Sequence, residues 1–176
     1  MKISNLIYVL ILAIPSALGI KAGVFHSDSD NINKTVKLEW QAIQDIEKLS
    51  SEKFTLVDVY TDWCKVCQVM DAKTMADEAI SSYLVENYNL VKFNAEEKET
   101  LNFKGRSYKY KASGKRGYNA LAAELCKGKL AYPSFVVLDK DLEVVDVLRG
   151  FKNVEKFRSD LDKVILAASH TEFAKD

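Results

Sequence analysis

The stretch Phe54–Cys67, FTLVDVYTDWCKVC, decides how the chain is read. Its first seven residues are apolar, β-branched or aromatic except for Asp58, which is the composition of a buried strand. The stretch ends in two cysteines separated by two residues, Cys64 and Cys67. A CxxC pair at the end of a strand is the pattern of a thiol–disulfide redox motif.

The same stretch assigns chemistry to individual residues. The helical spacing of Val66, Val69 and Met70 predicts a helix starting at or just before Cys64. Unpaired N–H groups and the helix dipole at such an N-terminus favour a thiolate, and Lys65 adds positive charge in the same direction. Cys64 is therefore expected to be the exposed nucleophile, and Cys67, one turn further in, the shielded resolving thiol. Asp58 lies between Leu56, Val57, Val59 and Tyr60, where an ionised carboxylate is costly to bury. Burial raises an Asp pKa and lets the group accept and return protons. An Asp facing water from an edge strand is the competing reading.

Zinc is the other chemistry a CxxC pair serves, but a structural site needs two further ligands. Only Cys126, His26 and His170 are available, and the two histidines lie near opposite ends of the chain.

Outside this stretch the chain supplies a frame. Its 176 residues, 48% hydrophobic and 28% charged, allow one domain with a real core. Lys+Arg and Asp+Glu both number 25, so no overall field attracts nucleic acid. Three cysteines are too few for a disulfide-stapled scaffold, which points them to chemistry. Lys2, the apolar run Leu6–Ile14 and the small residues Ala17 and Gly19 predict a signal peptide over 1–19, cleaved after Gly19. An uncleaved anchor is the alternative, although the run is short of the roughly 20 residues that span a bilayer. Export implies a periplasmic or secreted protein in an oxidising compartment, with no stable membrane insertion after cleavage. Residues 20–34 read as a flexible linker.

From residue 35 to about 170 the pattern is α/β. Trp40, Ile43, Ile46 and Leu49 predict a helix of about three turns with Thr35 as a possible cap. Asp77 caps a second helical piece through Tyr88, and Leu90–Phe93 is a short strand. Residues 95–117 are read as a solvated insertion, with six Lys or Arg (Lys104, Arg106, Lys109, Lys111, Lys115, Arg116) among Phe103, Tyr108 and Tyr110. Basic charge with aromatics is a nucleic-acid pattern, disfavoured here by the balanced charge and the expected export. A helix over Tyr118–Leu125 ending at Gly128, a hairpin of Ser134–Leu138 with Glu143–Leu148, and a closing helix marked by Val154, Phe157, Leu161 and Ile165 complete a mixed sheet flanked by helices.

Taken together, these residues resemble the thioredoxin family. An Asp six positions before the first cysteine and a Trp immediately before it fall on Asp58 and Trp63. Lys92, in LVKFN, matches the lysine that partners the buried acid; Tyr132-Pro133 matches the cis-proline that faces the cysteines; Gly150 matches the glycine after the last strand. VYTDWCKVC also resembles the C-terminal periplasmic domain of the transmembrane thiol:disulfide interchange proteins. The resemblance implies a thioredoxin fold over Phe54–Leu161, with an insertion before the cis-proline strand. It also implies thiol:disulfide oxidoreductase activity on disulfide-bearing client proteins, fed by an upstream thiol electron donor and needing no cofactor. Implied site residues are Cys64, Cys67, Asp58, Lys92, Pro133 and Trp63. Lys65-Val66 departs from the Gly-Pro of cytoplasmic thioredoxins, and the insertion is longer than in a minimal one. A disulfide oxidase or isomerase, and a non-catalytic binding or chaperone module, are the alternatives. Cys126 is expected to be a buried, inert thiol.

Overall fold

The computed structural model describes residues 36–50 and 52–173; the expectations for 1–19, for 20–34 and for Thr35 lie outside the described residues. Five strands form one mixed sheet in the order β1-β3-β2-β8-β9. They are β1 Gln41–Ala42, β2 Phe54–Tyr60, β3 Tyr88–Asn94, β8 Ser134–Leu138 and β9 Val144–Arg149. β2 runs parallel to β3 and antiparallel to β8, which pairs antiparallel with β9.

The two-residue alternation of β2 divides the core. Val57 and Val59 join Val91, Phe93, Val136 and Leu138 on one face. Leu56 joins Leu90, Phe135 and Val137 on the other, where Met70, Ile80, Leu84, Phe157 and Leu161 cover them. That second cover is made of α1 Lys65–Met70, its π-helical continuation Asp71–Met75, α2 Glu78–Asn87 and α4 Val154–Phe173. Asp77 caps α2 as expected, its Oδ1 accepting the N–H groups of Ala79 and Ile80 at 3.0 and 3.1 Å. Phe157 packs edge-on to Phe135, with ring centroids 4.8 Å apart.

Three expectations need correction. The first concerns the segment before β2, which is not a three-turn helix but β1 followed by a six-residue 3-10 helix, Ile43–Lys48. A 3-10 helix has three residues per turn and eclipses positions i and i+3. It therefore buries Ile43 and Ile46 on a single stripe.

The insertion is the second, because it is not simply solvated. It forms two hairpins, β4 Leu101–Phe103 with β5 Arg106–Tyr108, and β6 Tyr110–Ser113 with β7 Arg116–Asn119. Leu101, Phe103 and Tyr108 are buried in the first core face. The six basic residues of the insertion stay at the surface, three of them in ion pairs: Lys104 with Glu143, Arg106 with Glu124 and Arg116 with Glu96. Third, the following helix α3 starts at Ala120, because Tyr118 and Asn119 belong to β7. Asn119 caps it by accepting the Leu121 N–H at 3.0 Å, and Gly128 closes it by donating to the Ala123 carbonyl at 2.7 Å.

Candidate active site

Everything of chemical interest gathers at the C-terminal end of β2. The chain leaves that strand through Thr61, Asp62 and Trp63 and enters α1 with Cys64 as the N-cap. Cys64 and Cys67 are joined in a disulfide, with Cα atoms 5.3 Å apart. The Cys64 sulfur accepts the backbone N–H of Cys67 at 3.1 Å, so one of the orphan donors of the helix start points at it. The expected difference in exposure is absent: Cys64 and Cys67 are each only 5% exposed. The bond to Cys67 and the N–H contact draw the Cys64 sulfur over the helix end and away from solvent. Lys65 is exposed and directs its Nζ to Gln68 Oε1 at 3.5 Å.

Strand register alone brings Asp58 to Lys92. The two residues are paired in the parallel β2–β3 ladder, and both lie on the face shared with Leu56 and Leu90. Lys92 Nζ is 3.5 Å from Asp58 Oδ2 and 2.6 Å from Asp71 Oδ2. The Trp40 and Tyr60 rings flank the ammonium, with centroids 5.5 and 5.3 Å away. Asp58 is 2% exposed, and its Oδ1 has no hydrogen-bond partner among the described residues. Burial pushes its pKa up to about 7; Lys92 pulls it down and Asp71 pushes it further up. Burial pulls the Lys92 pKa down, but contact with Asp71 and Asp58 outweighs this and leaves it raised. At neutral pH the cluster therefore holds a carboxyl that can take up or release a proton.

The Tyr132–Pro133 peptide is cis. Because Ser134 pairs with Val59, Pro133 lies at the end of the sheet from which the CxxC loop emerges. Trp63 meets Tyr132 edge-on at 5.9 Å, tying the two loops together. The Gly150 N–H donates to the Pro133 carbonyl at 2.8 Å from a backbone with φ of 76°, which glycine adopts without a Cβ penalty. Cys126 is fully buried at the end of α3, and burial pushes its thiol up to about 11.

Sequence reading missed two residues. Asp71 lies four positions after Cys67, a spacing that puts both on one helical face, but its pairing with Lys92 depends on the fold. Arg116 places its guanidinium 4.3 Å from the Trp63 ring centroid, which no local pattern reveals. Among the described residues, no group of three or more His, Cys, Asp or Glu side chains is arranged to hold a metal ion.

A family profile described as a thioredoxin-like domain matches residues 41–165. The chain belongs to the thioredoxin-like family. Its fold is shared with solved structures: a thioredoxin from Thermus thermophilus (19% identity, 73% of this chain and 87% of that chain, TM-score 0.53) and the DsbH oxidoreductase (14% identity, 77% and 92%, TM-score 0.51). The oxidised C-terminal domain of DsbD from Neisseria meningitidis is a further match (20% identity, 68% and 87%, TM-score 0.44). No curated protein matches the sequence significantly. With its CxxC pair intact and joined as a disulfide, this thioredoxin-like chain is a thiol:disulfide oxidoreductase.

Proposed function

We propose that this protein is exported and reduces disulfides in client proteins, with electrons supplied by an upstream dithiol donor. The observation that carries the reading is Cys64 at the N-cap, its sulfur receiving the Cys67 N–H, with the raised carboxyl of Asp58 buried nearby. In the reduced protein the Cys64 thiolate attacks one client sulfur. The client disulfide breaks, and its leaving sulfur departs as a thiolate that takes a proton. Asp58 accepts the Cys67 proton; the Cys67 thiolate attacks the Cys64 sulfur and releases the second client thiol. Two electrons pass from the pair to the client, leaving the Cys64–Cys67 disulfide, which the donor dithiol reduces again.

In this reading Lys92 steadies the ionised Asp58, and Trp63 and Pro133 flank the attacked sulfur. An acid poised near neutrality supports proton transfer to and from Cys67 under working conditions. The reducing direction is taken from the resemblance of VYTDWCKVC to the C-terminal domain of the thiol:disulfide interchange proteins. Residues 1–19 act as a signal peptide and 20–34 as a linker to a thioredoxin-like domain over 35–170. The mature protein is periplasmic or secreted, without stable membrane insertion and without a nucleic-acid partner. Among the described residues, no helix is long and apolar enough to cross a membrane.

Trapping tests the mechanism. The full chain carrying Cys67→Ser, reduced and mixed with oxidised insulin, should form a mixed disulfide through Cys64 that dithiothreitol releases. No adduct from this variant, or full insulin reduction by Cys64→Ser, would overturn it. A strongly oxidising potential for the pair would reverse the assigned direction. An N-terminus still containing Met1 in the mature protein would remove the export claim.

A further inference from the structure

We propose that the β6–β7 ribbon reads client charge, selecting disulfides flanked by Asp or Glu; this rests on the exchange activity above. Register places Lys111 opposite Tyr118 and Ser113 opposite Arg116, so Lys111, Arg116 and Tyr118 share one face of the ribbon. Arg116 stacks on Trp63, which is 44% exposed, directly precedes Cys64 and meets the residue before the cis-proline. The charged face of the ribbon therefore reaches the residue next to Cys64.

Ion pairing separates the two hairpins. In the first, Lys104 and Arg106 are matched by Glu143 and Glu124. In the second, Arg116 has only Glu96, at 3.6 Å, and Lys111 and Lys115 have no carboxylate partner among the described residues. No acid occurs between Glu99 and Glu124. Asp62, Glu96, Glu97 and Glu99 lie on the neighbouring segments, but among the described residues only Glu96 of these is paired with a cation of the ribbon. Lys111 and Lys115 thus leave positive charge unpaired on the ribbon that carries Arg116, whereas the cations of the first hairpin are paired, which suits an acidic partner.

The ribbon is also held in place. The Asn119 N–H donates to the Ala95 carbonyl at 2.7 Å, and Asn119 Nδ2 donates to the Glu97 and Glu99 carbonyls at 3.2 and 3.0 Å. The Tyr110 ring lies directly on Gly117, where a Cβ would come within 2.3 Å of it. A charged surface fixed before binding loses less freedom when a client docks.

The test uses the full chain, reduced beforehand, and peptide disulfides identical except for Glu, Gln or Lys beside each cysteine. Second-order reduction rates should fall in the order Glu, Gln, Lys, by about three- to tenfold per step at low ionic strength. The differences should shrink at 1 M salt, where the Debye length is about 3 Å. Lys111→Glu/Lys115→Glu, which leaves the Arg116–Trp63 contact in place, should flatten or invert the order, and Arg116→Gln should weaken it. Equal rates for Glu and Gln peptides, or the wild-type order persisting in Lys111→Glu/Lys115→Glu, would overturn the proposal while leaving exchange activity standing. Reduction of none of the peptides by the wild type would overturn both.

Discussion

Asp58→Asn should make the oxidised protein more stable, by an amount that grows with pH. The folded-state pKa of Asp58 is about 7, against 3.8 for an ordinary, solvated aspartate. Between those values the folded protein keeps a proton that the unfolded chain has released, so stability falls as pH rises. At about 1.4 kcal/mol per unit, three units amount to about 4 kcal/mol, complete once the pH passes about 7. The stabilising contribution of protonated Asp58 is fully present below about pH 4 and lost by the time the folded group has ionised. Asn has nearly the same shape and does not titrate, and Lys92 keeps its 2.6 Å contact with Asp71, so the substitution strands no ammonium. Urea denaturation of both oxidised proteins across this range gives the difference at each pH, which cancels any fixed effect of the amide. The gap should widen by about 4 kcal/mol from about pH 4 to about pH 8. A gap that stays constant with pH would refute a buried, proton-holding Asp58.

Two further outcomes follow from the same geometry. Asp71→Asn removes a charge that raises the Asp58 pKa and releases Lys92 toward Asp58, so the pH limb of client reduction assigned to Asp58 should move to lower pH; an unmoved limb would show that Asp71 does not tune the site. Phe103→Ala should cost about 3–5 kcal/mol in denaturant unfolding, because this ring of the insertion is buried in the main core; a cost below about 1 kcal/mol would make the hairpin peripheral.

Local chemistry made much of the frame legible. β2 followed from its composition, α2 from its Asp77 cap, and the end of α3 from Gly128. Asp58 was legible as a costly acid in an apolar strand, and Lys92 came from the family pattern rather than from anything around it. The 3-10 helix was misread although its strict three-residue spacing was visible: Trp40, Ile43, Ile46 and Leu49 fit three residues per turn better than 3.6. The insertion was misread because its basic residues dominate the composition, while Leu101 and Phe103 alternate with Asn102 over only three residues. What buries them is contact with strands far away in sequence. The same holds for Asp71 and Arg116, whose partners Lys92 and Trp63 are set by tertiary packing and leave no local trace.

The buried Cys126 has a consequence for how the chain reaches this fold. In the unfolded state all three thiols are accessible, and three pairings compete. Joining Cys126 to either active-site cysteine closes a loop of about 60 residues, whereas the native pair has a sequence separation of 3. Flexible-chain statistics favour the short closure by about 2.5 kcal/mol, or roughly seventyfold. Once folding has sealed Cys126 beneath the sheet, its thiol is too weakly acidic to compete. The spacing that makes Cys64 and Cys67 a redox pair thus also protects the chain from mispairing during its own assembly.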